Sequence, residues 1–322
     1  MLNKSLTAIA AVAACFGAVQ SAAQTYPAKP IRLVVPSSPG GGTDITARAL
    51  AHKLSELLGQ QVVVENRAGA GTRIGNEIVA KSPPDGYTLL MGLSTLSIIP
   101  AVYKSVSYDA YKDFAPISQA VTVPNVLVVH PSLPVRSVKD LIALGKRRPR
   151  ELVAGSAGTG TNPHLSLELF RSMAGIEVVH VPYKGSGPGI IGLMSGEVAL
   201  LLPSLPTAMP HIKTARVRAL GVTTATRSHT LPEAPTLAEA GLPGYEAANW
   251  FGVLAPAGTS RAIVERLHKE TVAALKSPDV TKLLSGEGAQ IVASTPDQFA
   301  AHIRAETEKW SRVARAAGIK PQ

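Results

Sequence analysis

The stretch IRLVVPSSPGGGTD, residues 31–44, decides the fold. Its first five residues form a β-branched apolar run that is typical of a buried strand. A glycine-rich loop follows and leads to Thr43 and Asp44, which can cap a helix. Apolar residues then follow the 3.6-residue period as far as Leu58, and Gly59 supplies the stop. Strand, glycine-rich loop and helix in this order predict a parallel sheet with right-handed crossovers and helices on both faces.

The same alternation continues along the chain. It predicts further strands at 62–65, 88–91, 126–129, 152–155, 178–181, 198–202 and 217–222. It predicts helices at 74–80, 137–147, 163–173, 188–195 and 205–213, and two C-terminal helices that begin at Thr259 or Ser260 and at Thr295. A second glycine-rich turn, residues 158–161, leads into the helix at 163. Two α/β units, each with such a turn, predict two lobes with a cleft between them.

The extended stretches 115–130 and 245–255 are the predicted crossings between the lobes. Two crossings make the first lobe discontinuous, with residues 24–122 and 248–322, while residues 123–247 form the second lobe. The predicted fold class is therefore α/β, with two lobes that each contain a mostly parallel sheet flanked by helices.

Composition excludes several classes of protein. Of the 322 residues, 45% are hydrophobic and 17% are charged, which excludes an intrinsically disordered chain. The formal net charge of +10 favours anionic partners, but the basic residues are scattered and cluster only at 146–150. Aromatic residues make up 4% and do not alternate with basic ones, so we expect no nucleic-acid partner.

The first 23 residues have the layout of a cleaved secretory signal peptide. Lys4 precedes an apolar run of residues 6–19, and small residues occupy the positions before Gln24. We expect cleavage after Ala23 and export to the periplasm. Residues 12–15 also resemble a lipoprotein box, so lipidation at Cys15 is the alternative. Cleavage after Ala23 leaves the mature chain without a thiol.

The signatures of common enzymes are missing from the sequence. It has no GxSxG nucleophile elbow, no GxxxxGK[ST] phosphate loop and no HExxH pair. Residues 69–75 approach a dinucleotide fingerprint, but three residues rather than two precede the last glycine, so a tight turn is favoured. We therefore expect no metal, no cofactor and no catalytic residue, with an α/β hydrolase or isomerase as a remote alternative.

Two glycine-rich helix N-termini suggest an anion site. Residues 40–43 and 158–161 each offer unpaired backbone N–H groups, the positive end of a helix dipole and small hydroxyls. These features can hold a carboxylate or a phosphate without a charged side chain. The alternative is that glycines after strands only permit tight turns.

Several side chains near these loops have two possible roles. His164 is placed to donate to an anion, to pack or to cap, and Asp44 is most simply an N-cap or a first-turn carboxylate. Lys184 is either a cation that faces the cleft or a solvated surface residue. Ser94 and Ser204 follow strands at the ends that border a cleft. The predicted ligand-binding residues are Ser37, Pro39, Gly40, Gly41, Thr43, Asp44, Ser94, Ser156, Gly158, Thr159, Gly160, Thr161, His164, Tyr183, Lys184 and Ser204.

Motifs along the whole mature chain resemble those of Bug proteins, the extracytoplasmic receptors of tripartite tricarboxylate transporters. They are YPAKPI (26–31), VPSSPGGGTD (35–44), VENRAGAG (64–71), PDGYTL (84–89), GTGTNPHLSLE (158–168), VPYKG (181–185), PTLAEAG (235–241) and WFG (250–252). The resemblance implies a type II periplasmic-binding fold and a ligand carboxylate gripped by the two glycine-rich loops, partly through water. Thr72 and Arg73 depart from the family pattern of Gly and a small residue, and Ile99 stands where Asn often precedes Pro100.

The function that this resemblance implies is capture of a small carboxylate between two lobes. A mono- or dicarboxylate, a keto acid or an acidic amino acid fits the reasoning. We expect a monomer that delivers its ligand to the membrane subunits of a tripartite tricarboxylate-type transporter. A receptor that senses the ligand and signals to a partner protein is the alternative.

Overall fold

The computed structural model describes residues 26–319 and Pro321, so the signal-peptide prediction lies outside the described residues. The strands are β1 (Ile31–Val35), β2 (Val62–Asn66), β3 (Thr88–Leu93), β4 (Phe114–Val123), β5 (Val126–Val129), β6 (Val153–Ser156), β7 (Val179–Pro182), β8 (Leu200–Leu201), β9 (Arg218–Val222), β10 (Asn249–Pro256) and β11 (Gln290–Ile291). The helices are α1 (Gly42–Leu58), α2 (Arg73–Ala80), α3 (Thr95–Val102), α4 (Val138–Arg147), α5 (Asn162–Ala174), α6 (Ser186–Met194), α7 (Leu205–Lys213), α8 (Arg261–Leu275), α9 (Pro278–Gly286) and α10 (Pro296–Ala316).

The first sheet has the strand order β11-β4-β10-β3-β1-β2. β1 pairs in parallel with β2 and β3, whereas β10 runs antiparallel to β3 and β4. β11 is antiparallel to β4. Within the described residues, β1 to β4 therefore share one direction and β10 and β11 run the other way.

The second sheet has the strand order β7-β6-β8-β5-β9. β6 is parallel to β7 and β8, and β5 is antiparallel to both of its neighbours. In the part of the chain that the structure describes, β5 is thus the one strand of this sheet with reversed direction. The predicted α/β class with two sheets flanked by helices is confirmed. Both sheets are mixed rather than mostly parallel, because three of the five strand pairs in the first sheet and two of the four in the second are antiparallel.

The chain passes between the two sheets twice. It leaves the first sheet at Val123 and enters the second at Val126, and it returns between Val222 and Asn249. The first passage falls inside the predicted crossing 115–130, whereas the second begins well before the predicted crossing 245–255 and ends within it. The limits of the two lobes stay a prediction.

The strands are apolar because helices cover both faces of the sheets. Leu33, Val34 and Val35 of β1 are all fully buried, as are all four residues of β5. Continuous burial of this kind is what parallel sheets with two covered faces require. The core of each sheet consists of two hydrophobic clusters, and none of the helices among the described residues is long and apolar enough to cross a membrane.

Two helices were not predicted. α3 is the apolar run TLSIIPAV, which directly follows β3 and shows no helical period because almost all of it is buried. α9 begins with Pro278 after Ser277, a start signal for a helix of only nine residues. The predicted strand 198–202 is reduced to Leu200–Leu201.

Candidate functional site

A cavity of about 340 Å³ lies between the two sheets. Segments that follow strands of the first sheet form one side, and segments that follow β6 and β8 form the other. This is the edge at which ligands bind in open α/β sheets. Its lining residues include Ser37, Gly42, Thr43, Ile45, Thr46, Gly71, Thr72, Leu93, Thr95, Ile99, Tyr103, Val123, Ala157, Thr159, Gly160, Thr161, Asn162, Pro163, Gly185, Ser186, Ser204, Pro206, Asn249, Phe251, Leu284, Glu287 and Ala289.

Six helices begin at this cavity among the described residues. The first residues or the N-cap residues of α1, α2, α3, α5, α6 and α7 all belong to its lining. In none of the six does the N-cap side chain bind the helix's own N–H groups. Their first backbone N–H groups are therefore not satisfied by capping side chains, and each adds the positive end of a dipole.

Helices that begin elsewhere are capped in the usual way. Ser137 of α4, Ser260 of α8 and Thr295 of α10 each accept a hydrogen bond from a backbone N–H of the first turn. Thr295 and Gln298 form the predicted capping box. α9 is uncapped as well, but its C-terminal end, not its start, reaches the cavity. The missing caps thus concentrate where a ligand would lie.

The cavity wall carries little formal charge. Glu287 is the one carboxylate in the described lining, and no Lys, Arg or His belongs to it. Much of the remaining wall is apolar and includes Ile45, Leu93, Ile99 and Phe251. No cluster of three or more His, Cys, Asp or Glu side chains that could hold a metal occurs in residues 26–319 or at Pro321. An anion here would be held by neutral dipoles rather than by an ion pair.

The loop before α1 is fixed by Asp44. Its carboxylate is buried and accepts hydrogen bonds from Gly40 N at 2.9 Å, Arg48 Nε at 2.9 Å and Asn66 Nδ2 at 2.9 Å. Burial raises the pKa of this carboxyl, but these hydrogen bonds outweigh it and hold the pKa below its usual value. Gly41 rather than Asp44 is the N-cap residue of α1, and Asp44 lies in the first turn, where it shapes the loop outside the cavity lining.

Ser37 keeps a free hydroxyl in the same loop. Its Oγ is buried, lines the cavity and has no hydrogen-bond partner in the described part of the chain. A buried hydroxyl without a partner is costly unless a ligand or water satisfies it. Ser37 is therefore a candidate donor to a bound anion.

The loop before α5 is fixed by two histidines. Gly160 N donates to His164 Nδ1 at 3.1 Å, and Gly158 N donates to Ser156 Oγ at 3.1 Å. Ser156 Oγ is in turn 2.6 Å from His180 Nε2. The two imidazoles stack with their centroids 4.2 Å apart. The backbone N–H groups of Gly158 and Gly160, which we expected to bind the ligand, thus donate to side chains of the protein instead.

His164 acts as an acceptor toward its own loop and lies outside the cavity lining, so its donation to an anion stays a prediction. The ring is 5% exposed, and burial, then the neighbouring His180 and Arg171, lower its pKa to about 3. The neutral ring uses Nδ1 to accept from Gly160, which requires that this nitrogen carry no proton. Its role is to hold the loop.

Thr161 and Ser204 line the cavity with hydroxyls that already have partners. Thr161 Oγ1 donates to Gly158 O at 2.7 Å, and Ser204 Oγ is 2.8 Å from Thr207 Oγ1. A hydroxyl that donates to the protein still has lone pairs that can accept a hydrogen bond.

The predicted ligand-binding residues fall into two groups. Those that line the cavity are Ser37, Thr43, Thr159, Gly160, Thr161 and Ser204. Those outside the lining are Pro39, Gly40, Gly41, Asp44, Ser94, Ser156, Gly158, His164, Tyr183 and Lys184.

The residues in the second group have other roles. Ser94 is buried and its Oγ donates to Asn249 Oδ1 at 2.7 Å. The Tyr183 ring lies against Gly155 and Gly192, where an added Cβ would collide with it. Lys184 is exposed. These side chains lie outside the cavity lining, and their contact with a ligand stays a prediction.

Sequence reasoning missed several lining residues. Thr95, Asn162 and Asn249 were not singled out. Thr95 and Asn162 are first residues of helices, so a prediction of α3 would have pointed to Thr95. The sequence contains no signal for Asn249, because only the return of β10 between β3 and β4 brings it to the cavity.

Comparison with known proteins agrees with this geometry. Residues 46–319 match the model of the tripartite tricarboxylate transporter family receptor. The chain is 42% identical over 300 residues to protein BugT of Bordetella pertussis, which covers 92% of each chain.

Two solved structures share the fold. One is R. palustris Rpa4515 with adipate, which has a TM-score of 0.84, 43% identity and coverage of 92% of this chain and 100% of that one. The other is MatC (Rpa3494) from Rhodopseudomonas palustris with bound malate, with a TM-score of 0.79, 29% identity and coverage of 89% and 99%. The chain therefore belongs to the Bug-type receptors of the tripartite tricarboxylate transporter family.

Proposed function

We propose that this protein captures a small organic carboxylate in the cavity between its sheets and hands it, chemically unchanged, to the membrane subunits of a tripartite tricarboxylate-type transporter. One observation carries the proposal. Six helices begin at the cavity without a capping side chain, and no Lys or Arg belongs to its described lining. Such a wall favours an anion through backbone N–H groups and helix dipoles.

The free energies of these interactions support binding of an anion without a charged side chain. One helix N-terminus favours an anion by about 0.3–1 kcal/mol when exposed and by up to about 2 kcal/mol when partly buried. Hydrogen bonds to a charged group add about 1.5–3 kcal/mol each. The N–H groups of Gly42 and Thr43, the free hydroxyl of Ser37 and the start of α5 together provide enough for a specific site.

The size and polarity of the cavity support a small acid with a carbon chain. A volume of about 340 Å³ suits a ligand of modest size, and the apolar wall suits its methylene groups. Adipate in Rpa4515 and malate in MatC are acids of this kind. We extend that ligand class, and no particular acid, to this protein.

The remaining parts of the proposal concern its setting. We propose lobes of residues 24–122 with 248–322 and of 123–247, which close on the ligand at the two crossings between sheets. We also propose that the receptor is a periplasmic monomer, exported by the segment that ends at Ala23.

A calorimetric titration with matched probes tests the proposal. Adipate and adipamide have the same chain and nearly the same shape, but only adipate carries charge. We expect saturable binding of at least one acid in a panel of adipate, malate, hexanoate and glutamate, and no binding of adipamide. Equal binding of adipate and adipamide, or no binding of any acid, would contradict the proposal. Lys184→Met serves as a matched control variant, because it removes an exposed charge outside the cavity.

A further inference from the structure

The loop before α2 holds a threonine in an unusual backbone conformation. Thr72 has φ +82° and ψ −9°, in the left-handed region, and Ala70 has φ +47°. A β-branched residue rarely adopts this conformation, because its side chain crowds the backbone. Such strain persists only where the surrounding structure enforces it, and it concentrates at functional sites.

Arg73 enforces the conformation of this loop. Its Nε donates to Ala70 O at 2.9 Å, and its guanidinium lies 4.0 Å from the centroid of the Tyr103 ring. Thr72 and Arg73 are two of the three positions at which the sequence departs from the family pattern, and Ile99 is the third. Both Thr72 and Arg73 therefore contribute to one feature, a loop that presents the Thr72 side chain beside α3.

The hydroxyl of Thr72 forms part of a chain of side-chain hydrogen bonds. Asn76 Nδ2 donates to Tyr108 OH at 2.8 Å and to Thr72 Oγ1 at 3.4 Å. Thr72 Oγ1 is 2.9 Å from Thr95 Oγ1. Either hydroxyl can donate in this pair, and in both cases one of the two hydroxyl protons has no acceptor among the described residues and is left for the cavity. The described residues contain no other hydrogen-bond partner for the Thr95 hydroxyl.

The threonine pair is a polar spot in an apolar wall. Thr72 is 9% exposed and Thr95 is 8% exposed, and both line the cavity. Ile99, one turn after Thr95 on α3, and Tyr103 line the same wall. A neutral donor in such surroundings favours an oxygen acceptor and penalises a methyl group that leaves the donor unpaired.

We propose that the Thr72–Thr95 hydroxyl pair determines specificity by donating to a second oxygen function of the ligand, a hydroxyl, a keto group or a second carboxylate on the chain that carries the anchored carboxylate. The inference rests on the proposed carboxylate function and adds the class of ligand. A plain aliphatic monocarboxylate satisfies the helix N-termini but leaves one hydroxyl proton of the Thr72–Thr95 pair without an acceptor.

Three matched probes test the inference: hexanoate, 6-hydroxyhexanoate and adipate. They share a six-carbon chain and differ only at the far end. By calorimetry, we expect the wild type to bind the two probes with a second oxygen function roughly fivefold or more tightly than hexanoate. Thr95→Val should remove this preference, and it should leave the affinity for hexanoate within about twofold.

Further variants separate the role of the hydroxyl from that of the fold. Thr72→Val has nearly the same shape and keeps the β-branch, and it should also weaken the preference. Thr95→Ser retains the hydroxyl and should retain the preference. Thr307→Val is the control, since this buried hydroxyl donates to Ile303 O within α10 and lies outside the cavity lining.

The outcomes distinguish this inference from the proposed function. A wild type that binds all three probes equally, or a preference that survives Thr95→Val in a folded protein, overturns the inference and leaves carboxylate capture standing. A wild type that binds no acid overturns carboxylate capture and the inference with it. Circular dichroism melts of each variant establish that it is folded.

Discussion

The side-chain amide of Asn249 donates to Asn125 Oδ1 at 3.0 Å and so joins the two segments by which the chain passes between its sheets. The chain of hydrogen bonds extends at both ends. Ser94 Oγ donates to Asn249 Oδ1 at 2.7 Å, and Asn125 Nδ2 donates to Asn162 Oδ1 at 2.6 Å. It therefore connects the start of α3 with the start of α5 across both crossings, and Asn162 and Asn249 line the cavity.

This network predicts coupled stability effects at the two crossings. Asn125 is fully buried, so Asn125→Ala leaves buried partners unpaired and should destabilise the protein by about 1–3 kcal/mol for each such group. Asn249→Ala should cost less, because this side chain is half-buried. Urea unfolding of the single and double variants should give a coupling free energy of about 0.5–3 kcal/mol. Simple additivity would show that the bond between the two amides does not contribute.

The buried His164 predicts loss of stability in acid. Its pKa is lowered to about 3 in the folded protein, whereas an unfolded histidine titrates near about 6.5. Below about pH 6.5 the unfolded chain therefore binds a proton that the folded protein does not. Above about pH 6.5 the neutral His164 contributes fully to the free energy of unfolding. As the pH falls from there toward 3, the free energy of unfolding decreases by about 1.4 kcal/mol per pH unit.

A substitution isolates this contribution from that of other groups. His164→Gln removes the titration and retains an acceptor for Gly160 N. The loss of stability caused by His164→Gln should be largest near pH 8 and should shrink by pH 5. Chemical unfolding at a series of pH values measures it, and a loss that is independent of pH would contradict the prediction.

The fold was largely predictable because local patterns determine most of it. The β-branched run of β1, the glycine stop after α1 and the capping box of α10 each appear in the sequence and in the structure. α3 was not predicted from the sequence. It is buried almost throughout and therefore has no polar face that would show a helical period. The order of strands in a sheet depends on contacts between distant parts of the chain. No pattern between Asn249 and Pro256 predicts that this segment inserts between β3 and β4.

The site was only partly predictable for a related reason. Spacing located the glycine-rich loops, and Ser37, Thr43 and Gly160 do line the cavity. Spacing does not tell which N–H groups the protein uses itself. The Gly160 N–H is bound by His164, a contact that depends on how the loop folds back on α5.

The two glycine-rich loops should respond differently to an added methyl group. Gly160 has φ +77°, and an added Cβ would lie 3.1 Å from Val102 Cγ2 of α3, across the cavity from α5. Gly41 has φ −82°, and its nearest neighbour would be 3.9 Å away. A side chain in the left-handed region costs about 1–2 kcal/mol. Gly160→Ala should therefore weaken adipate binding by roughly five- to thirtyfold, and Gly41→Ala should change it by less than about threefold.

Calorimetry on this matched pair of variants measures the difference, with thermal melts as the folding control. The pair also separates two explanations of why glycines occur in these loops. If Gly41→Ala weakens binding as much as Gly160→Ala, then both loops require glycine because their backbone approaches the ligand closely. The conformational argument from φ and from contact with Val102 would then be wrong.

The charge of Glu287 should oppose binding of a dianion. It is the one carboxylate in the described lining, and it follows the C-terminal end of α9, which is the negative end of that helix dipole. At a separation of about 8 Å in water, each ligand charge is repelled by about 0.5 kcal/mol. Glu287→Gln should therefore strengthen adipate binding by roughly two- to fivefold and should strengthen hexanoate binding less.

Lys184→Met, which removes an exposed charge outside the cavity, should change either affinity by less than about twofold. Titration at low and at about 0.5 M salt checks the cause, because screening should shrink the effect of Glu287→Gln. A stronger loss of adipate binding on Lys184→Met than on Gly160→Ala would show that an ion pair, not the helix N-termini, holds the ligand.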